Sequence, residues 1–427
     1  MPTIDTVVIG AGHAGLAVSR LLTGAGRDHV VLERGRLAER WRSERWDSLH
    51  LLTPNWMTRL PGWWYAGPDR DGYLPVRRFV RFLERYAESF AAPVITGTTV
   101  RALAREQGGG YRVTTDQDTW VARHVVIATG PHGVPHAPAG LRPGGDGPAG
   151  TTVLTSNRYR NPAQLPPGGV LVVGASASGT QIADELARSG REVVVAVGRH
   201  TRVPRRYRGM DIFWWLEATG RLARTIDEMP DAVAARREAS LQLTGRAAPG
   251  RVGGDLDLAS LQGQGVRLVG RVHGVRGQTV AIGQNLVDDV AAADAKLGRL
   301  LDQVDAYVER AGLAREVWEP VRPRPVALPE VPARLDLRAE RIGTVLLATG
   351  YRPDYSWLQL PIRTPDGYLR QQRGVTPAPG VYAVGQRFQH RRDSGFIDGA
   401  RHDAAAVVDR LLGTGTASPV STCEEPA

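Results

Sequence analysis

Short apolar runs followed by glycine alternate along the chain with stretches whose apolar residues recur at helical spacing. The first run, residues 5–9 (DTVVI), is rich in β-branched residues, which is typical of a buried parallel strand. A glycine turn, a helical stretch that ends in glycine (LAVSRLLTGAG) and a second apolar run at residues 29–33 follow. This order predicts a strand–helix–strand unit at the start of the sequence.

A second unit of the same kind is predicted in the middle of the chain. An apolar run at residues 169–173, a glycine-containing turn, a helical stretch (TQIADELARSG) and a run at residues 192–197 repeat the order. Two further apolar runs, at residues 124–127 and 344–347, each continue into Ala-Thr-Gly. The predicted fold class is α/β, with two Rossmann-like dinucleotide-binding domains.

Length and composition exclude several classes of protein. At 427 residues the chain exceeds the roughly 250–300 residues that one core organises, so two domains are expected. Hydrophobic residues make up 42% and charged residues 23%, which argues against disorder, and no apolar run approaches the ~18 residues of a membrane helix. The single cysteine, Cys423, excludes an internal disulfide, a cysteine zinc site and a CxxC redox pair. Residues 1–5 lead straight into a strand without a signal peptide, so a cytoplasmic protein is expected.

The net charge of +10 raises the question of a nucleic-acid partner. Lys296 is the only lysine, and most arginines stand beside Asp or Glu, as in LERGRLAERWRSERWD. Interleaved charges are typical of a solvated surface and not of a phosphate-binding stripe, so no nucleic-acid partner is expected. Small polyanions remain candidate ligands because arginine matches phosphate geometry.

The turn of the first unit has the GxGxxG spacing of a dinucleotide site. Gly10 permits the tight turn, Gly12 lets the backbone approach a pyrophosphate, and Gly15 allows close packing of helix on strand. The helix N-terminus would face the phosphates with its positive dipole end. Glu33 stands 23 residues after Gly10, near the ~20 expected for a carboxylate that binds a ribose hydroxyl. A glycine turn without a ligand is the alternative.

The turn of the second unit is a variant, with Ser176 at the position of the central glycine. The strand that follows leads into Arg199, His200 and Arg202, without the acidic residue that would hold a ribose diol and repel a 2′-phosphate. Arginine does the reverse, so this site is predicted to take NADPH, with Arg199 as the main contact and the other two as helpers. An exposed basic loop without this role is the alternative.

Two dinucleotide sites in one chain indicate hydride transfer from a nicotinamide to a flavin. Disulfide reductases pass the electrons on to a CxxC pair, and iron–sulfur reductases pass them to cysteine-ligated clusters. The sequence provides neither group. Oxygen is the remaining common acceptor that needs no further redox group in the protein.

Four segments together resemble the class B flavin-dependent monooxygenases: GAGHAGLA, VVIATGPH, VVGASASGTQIADELARSG and VLLATGYRPD. The resemblance covers nearly the whole chain. It implies FAD at the first motif, NADPH at the second, and contacts to FAD from Arg40, Trp41, Val100 and Gly385. It also implies that the reduced flavin captures O₂ as a C4a-(hydro)peroxide and passes one oxygen atom to a small organic substrate, at nitrogen, sulfur or a Baeyer–Villiger carbonyl.

The prediction names cofactor contacts only, because the cofactor carries the chemistry in this class. No catalytic acid or base and no metal ligand is assigned. The predicted cofactor-binding residues are Gly10, Gly12, His13, Ala14, Gly15, Glu33, Arg34, Arg40, Trp41, Val100, Ala128, Thr129, Gly130, Gly174, Ser176, Ala177, Ser178, Gly179, Arg199, His200, Arg202, Thr349, Gly350, Gly385 and Gln386.

The chain departs from the family's pattern at several positions. Thr155 stands where the family has a histidine before the nicotinamide site, and Leu52 stands where flavin-containing monooxygenases have an asparagine, with Asn55 three residues on. Gln386 replaces the usual acid after the last glycine. Two alternatives therefore stay open: a flavin reductase or dehydrogenase with a protein or quinone acceptor, and a non-enzymatic flavin- and nucleotide-binding sensor. A homodimer is also left open.

The predicted division of the chain places one domain inside the other. Further helices are predicted at residues 76–90, 211–222, 291–313 and 404–412, irregular structure at 36–75, and a linker at 131–150. The segments are an FAD-binding domain in two parts, residues 1–160 and 336–413, an NADPH-binding domain with a helical insertion, residues 161–335, and a disordered tail, residues 414–427.

Overall fold

The computed structural model describes residues 1–245, 255–328 and 330–414, so the predicted disordered tail lies outside the described residues from 415 onward. Helices span His13–Gly24, Glu39–Ser43, Val76–Glu88, Ala177–Arg188, Ile212–Ala218, Ala232–Arg236, Leu258–Gln262, Leu286–Arg310 and Ala400–Leu412. Short 3-10 turns lie at Asn55–Met57, Pro148–Gly150, Pro162–Gln164 and Ile226–Glu228. Within the described ranges, no helix is long and apolar enough to cross a membrane.

The first unit contains a seven-stranded, mainly parallel sheet. Its strands follow in the spatial order Val94–Ile95, His29–Leu32, Thr3–Ile9, Thr119–Ile127, Tyr111–Thr115 and Val100–Arg105, with Val381–Ala383 also paired to Thr119–Ile127. Val7 pairs with Val30 on one side and with Val125 on the other, and all three are buried. The predicted run at 124–127 is the second half of a longer strand, Thr119–Ile127, in which Arg123 is exposed.

The second unit contains a six-stranded sheet. Its strands follow in the spatial order Gly145–Asp146, Thr152–Thr155, Ile342–Leu347, Gly169–Val173, Val193–Ala196 and Arg267–Val269. The predicted boundaries at 160 and 336 cut across this sheet, since Thr152–Thr155 and Ile342–Leu347 both belong to it. The physical reason is that a parallel strand buried on both faces has the same apolar sequence whichever sheet it joins.

Smaller paired segments lie outside the two main sheets. A three-stranded antiparallel sheet contains Val272–Arg276, Thr279–Ile282 and Arg334–Asp336. The predicted linker, residues 131–150, contributes the two-residue strand Val134–Pro135, which pairs with Tyr351–Arg352. The remaining two-residue strands are Arg59–Leu60 with Trp63–Trp64, Thr201–Arg202 with Leu241–Gln242, and Arg206–Tyr207 with Met210–Asp211. The helical insertion packs around Trp215 and Val304, together with Met57 from the first unit.

A buried ion pair joins the insertion to a loop of the first unit. Arg205, 1% exposed, donates to both carboxylate oxygens of Asp211 at 2.5 Å and to the carbonyl oxygen of Leu52 at 2.8 Å. The Tyr73 hydroxyl donates to the same carboxylate at 2.6 Å. Asp211 also accepts the amide of Phe213 at 2.8 Å and so caps the helix Ile212–Ala218. These contacts hold the two units together on either side of a cavity.

Candidate cofactor and active site

A cavity of about 1690 Å³ lies between the two units. Residues that follow the strands Thr3–Ile9, His29–Leu32 and Thr119–Ile127 line one end, and residues that follow Val193–Ala196 line the other. In open α/β sheets, ligands bind at this carboxyl edge of the strands. The volume exceeds the roughly 300–1,000 Å³ of a pocket for one drug-sized ligand, so the cavity has room for more than one.

The first glycine motif shows why two of its glycines are needed. Gly10 has a φ of +110°, and a Cβ there would lie 2.7 Å from the carbonyl oxygen of Ala128. A Cβ on Gly15 would lie 2.0 Å from the carbonyl oxygen of Gly10, so the helix His13–Gly24 can approach the strand only without that atom. A Cβ on Gly12 would meet no atom within 4 Å, because this glycine borders the open cavity.

The second glycine motif has nearly the same geometry. Gly174 has a φ of +113°, and a Cβ there would lie 2.5 Å from the carbonyl oxygen of Ala348. A Cβ on Gly179 would lie 1.9 Å from the carbonyl oxygen of Gly174. Ser176 is the N-cap residue of Ala177–Arg188 but makes no capping hydrogen bond. Ala128 and Ala348, from the two Ala-Thr-Gly segments, therefore have the same structural role: each is the residue against which a glycine turn packs.

Glu33 is oriented by the backbone of the first motif. Its two carboxylate oxygens accept the amide of Ala11 at 2.8 Å and the amide of Gly35 at 3.0 Å. The side chain is 9% exposed and lines the cavity. Each carboxylate oxygen can accept a further hydrogen bond, so Glu33 remains able to bind a ribose hydroxyl.

Unpartnered buried polar atoms around the first motif fit a bound dinucleotide. His13 Nε2 and Thr129 Oγ1, both from residues that line the cavity, are buried without a hydrogen-bond partner among the described residues. Burial lowers the pKa of His13 to about 4, so its imidazole is neutral near pH 7. Orphaned groups of this kind are expensive in a folded protein and are explained when a polar ligand fills the cavity.

Three arginines, Arg40, Arg45 and Arg387, lie around His132 beside the first motif, and the sequence reasoning named only Arg40. Arg40 donates to the carbonyl oxygen of His132, and the guanidinium of Arg45 lies 5.1 Å from the ring centroid of Trp41. Burial, with the charges of Arg45, Arg40 and Arg387, lowers the pKa of His132 to about 3. His132 directly follows the first Ala-Thr-Gly-Pro segment, and that position was the available signal.

The predicted nicotinamide phosphate contacts separate into two groups. Arg199 is exposed at the end of the strand Val193–Ala196 and lines the cavity. Arg202 also lines the cavity but is 3% exposed and is held by Asp257 at 2.7 Å and Asp294 at 2.6 Å, so its guanidinium already has two acidic partners. His200 is buried beside it with its Nδ1 3.0 Å from the carbonyl oxygen of Gly198, and burial lowers its pKa.

Arg271 was missed by the sequence reasoning. Its Nε lies 3.2 Å from the place where a Cβ of Gly198 would stand, and it lines the cavity. The strands Val193–Ala196 and Arg267–Val269 are parallel neighbours, so the residues that follow them meet at one sheet edge. No sequence pattern predicts that these two strands are neighbours.

Most of the predicted cofactor residues share the cavity. Those that line it are Gly10, Gly12, His13, Ala14, Glu33, Arg34, Arg40, Trp41, Val100, Ala128, Thr129, Gly130, Ala177, Arg199, His200, Arg202 and Gly385. Those outside its lining are Gly15, Gly174, Ser176, Ser178, Gly179, Thr349, Gly350 and Gln386.

The residues that depart from the family pattern lie in different places. Leu52 lines the cavity, whereas Asn55 donates to the carbonyl oxygen of Asp69 at 2.8 Å and Thr155 donates to Asn157 at 2.5 Å.

Comparisons with known proteins agree with this geometry. Residues 7–217 match the family described as pyridine nucleotide-disulphide oxidoreductase. A CzcO-like oxidoreductase from Geobacillus kaustophilus is 30% identical over 416 residues, 96% of this chain and 98% of the relative. An indole-3-pyruvate monooxygenase from Oryza sativa subsp. japonica is 33% identical over 212 residues, 48% of this chain and 51% of the relative. A double mutant of the flavin monooxygenase from Stenotrophomonas maltophilia has a TM-score of 0.65 at 20% identity, covering 97% of this chain and 99% of that one.

The fold and the site define an α/β protein with two dinucleotide-binding units, and its fold is that of the flavin monooxygenases. The predicted fold class and the resemblance to this class are confirmed. The chain belongs to the CzcO-like oxidoreductases.

Proposed function

We propose that the protein is an NADPH-dependent FAD monooxygenase that transfers one oxygen atom from O₂ to a small organic substrate. The observation that carries the proposal is the pair of matching glycine turns, Gly10–Gly15 and Gly174–Gly179, on either side of one cavity. Two dinucleotides bound at these turns would both reach the space between the units, as hydride transfer requires. The unit with the seven-stranded sheet would hold FAD, and the unit with the six-stranded sheet would hold NADPH.

Residues of the first unit would hold FAD. The amides at the start of His13–Gly24 would bind its diphosphate, and Glu33 would accept hydrogen bonds from the adenosine ribose. Thr129 and His13 would supply polar contacts that the protein itself leaves unsatisfied. When bound, FAD supplies the redox and oxygen-transfer chemistry, and the protein's part is binding, orientation and the exclusion of water.

Residues of the second unit would select NADPH over NADH. Arg199 and Arg271 present two guanidinium groups beside Gly198, where the 2′ position of the adenosine ribose is expected. An acidic residue that would repel a 2′-phosphate is missing from this turn of the sequence. Arginine binds phosphate by paired, charge-assisted hydrogen bonds, which supports the phosphorylated nucleotide.

Two features support oxygen transfer over electron transfer to a thiol. The only cysteine of the chain is Cys423, so no dithiol can carry electrons from the flavin to a disulfide substrate. The wall of the cavity includes apolar side chains, among them Phe213, Leu222 and Phe396. Apolar side chains help to exclude water, which protects reactive intermediates from hydrolysis and from side reactions.

Stopped-flow absorbance of the FAD-loaded protein tests the proposal. NADPH should bleach the oxidised flavin without oxygen, and mixing with O₂ should restore the oxidised absorbance only after a lag during which no H₂O₂ is released. Immediate reoxidation with one H₂O₂ per NADPH would favour the reductase alternative. No bleaching by NADPH or NADH would favour the sensor alternative.

A further inference from the structure

One corner of the cavity carries an excess of positive charge that the protein does not neutralise. Two chain segments meet there: the amide of Arg392 donates to the carbonyl oxygen of Arg224 at 2.9 Å, and the amide of Asp393 donates to that of Leu222 at 3.3 Å. This pairing brings Arg221 close to Arg392, and Arg387 comes from the turn that follows the strand Val381–Ala383. The three arginines are called the arginine corner below.

The arginine corner contains one partnered guanidinium and two without an acidic partner. Arg392 is paired with Glu238, and Lys296 approaches the same carboxylate at 3.6 Å. Arg221 donates to the neutral side chain of Gln303 at 2.9 Å. Arg387 makes no ion pair or hydrogen bond within the described part of the chain. A single carboxylate therefore faces four cations.

Arg221 and Arg387 keep their positive charge without an acidic partner. Burial, together with the neighbouring charge of Arg392, lowers the pKa of both Arg221 and Arg387. A guanidinium does not lose its proton under ordinary conditions, so both side chains stay charged on the cavity wall, where Arg221 is half-buried and Arg387 is exposed. Charged groups in such places are stabilised by an opposite charge with hydrogen bonds, which points to an anionic ligand.

The rest of this corner is apolar. Phe213 and Leu216 come from the helix Ile212–Ala218, Leu222 follows it, and Phe388 and Phe396 flank the segment that carries Arg392. Phe213 and Phe396 meet edge to face with ring centroids 5.7 Å apart. Such a wall suits an aliphatic or aromatic body and offers few partners to a polar one.

We propose that Arg221 and Arg387 bind the carboxylate of the substrate, so that the protein acts on organic acids with an apolar body. The inference rests on the proposed function, because it takes this corner of the cavity as the substrate site. Arg392 acts through Glu238 as a positioning residue that keeps the corner positively charged. The diphosphate of the nicotinamide nucleotide has the same anionic chemistry, and the experiment must separate the two sources.

Isothermal titration calorimetry on the oxidised, FAD-loaded protein without NADPH provides the test. The probes are 3-phenylpropanoate and its neutral amide, 3-phenylpropanamide, which have nearly the same shape. The acid should bind at least about tenfold more tightly than the amide, as expected for a charge-assisted pair. In Arg387→Met and in Arg221→Met this ratio should fall to about one, with the affinity for the amide unchanged.

Arg237→Met is the matched control, since Arg237 lines the same cavity but is already paired with Asp366, and it should keep the ratio. Equal binding of acid and amide to the unaltered protein, or no binding of the acid at millimolar concentration, would overturn the proposal. Competition between NADP⁺ and the acid would assign the corner to the nucleotide diphosphate, and loss of FAD from Arg387→Met would assign Arg387 to the flavin. Because no turnover is measured, these results are independent of the oxygen test.

Discussion

The α-carbon of Gly15 lies so close to Gly10 that a Cβ on Gly15 would stand 2.0 Å from the carbonyl oxygen of Gly10. Gly179 and Gly174 repeat this contact at 1.9 Å in the second unit. The obstacle in both pairs is a backbone atom, which cannot move away as a flexible side chain can. The contact fixes the start of each helix against its strand, at the place where a dinucleotide diphosphate is expected.

Gly15→Ala should prevent stable folding of the first unit. The added methyl group would force the helix away from the strand, which should lower the free energy of unfolding by about 3 kcal/mol or more. Gly12→Ala is the matched variant, because a methyl group there meets no protein atom within 4 Å. It should unfold at nearly the same temperature as the unaltered protein yet bind FAD at least about tenfold more weakly, measured by flavin titration of the apoprotein. If both variants retain FAD, the placement of the diphosphate at this turn is wrong.

Arg199→Ala and Arg271→Ala should each raise the KM for NADPH by about tenfold or more and leave the KM for NADH nearly unchanged. The reason is that each arginine would contact only the 2′-phosphate, which NADH lacks. Steady-state NAD(P)H oxidation with O₂ as acceptor measures both values. An equal loss with the two nucleotides would remove the 2′-phosphate assignment.

Arg202→Met should act on stability and not on nucleotide preference. Removal of a guanidinium that is 3% exposed leaves Asp257 buried without its partner, and breaking such a pair costs about 3–5 kcal/mol. Urea unfolding measures the change, and the ratio of KM values for NADPH and NADH should stay as in the unaltered protein. A changed ratio with unchanged stability would restore the predicted phosphate contact.

Asp403→Asn should stabilise the protein at pH 8 more than at pH 5. Burial, with the nearby charge of Asp393, raises the pKa of Asp403 to about 7 from an ordinary value near 4. The folded protein therefore binds a proton that the unfolded chain releases, so stability is lost as the pH rises from about 4 to about 7, by about 4 kcal/mol at most. Asparagine does not titrate. Urea unfolding from pH 4 to pH 8 should show the unaltered protein losing stability relative to the variant.

The two motif turns were predictable because their requirements are local. A glycine at each crowded position, an acid about 20 residues on, and apolar strand residues are all visible in the residue types and their spacing. The confirmed fold class follows from these units. Glu33 is also found where its spacing places it, on the cavity wall beside Gly10.

Two features were not predictable from the spacing of residue types along the sequence: the order of the strands in each sheet, and which arginines are exposed and which are buried in ion pairs. Ile342–Leu347 joined the second sheet, although its apolar sequence would suit either one. Arg199 and Arg202 are three residues apart and both line the cavity, yet Arg199 is exposed whereas Arg202 is buried and paired with Asp257. The difference depends on carboxylates that arrive from distant helices.

Residue types and short-range spacing were therefore sufficient to establish two dinucleotide-binding turns, their α/β setting and the absence of a redox dithiol. The approach of Arg271 to Gly198, and of Arg221 to Arg392, came from the folded chain alone. The physical reason is the separation along the sequence of the residues that form each feature. A glycine turn is specified by neighbours a few residues away. A cluster of charges is formed by segments more than 70 residues apart, and their approach depends on the packing of whole sheets.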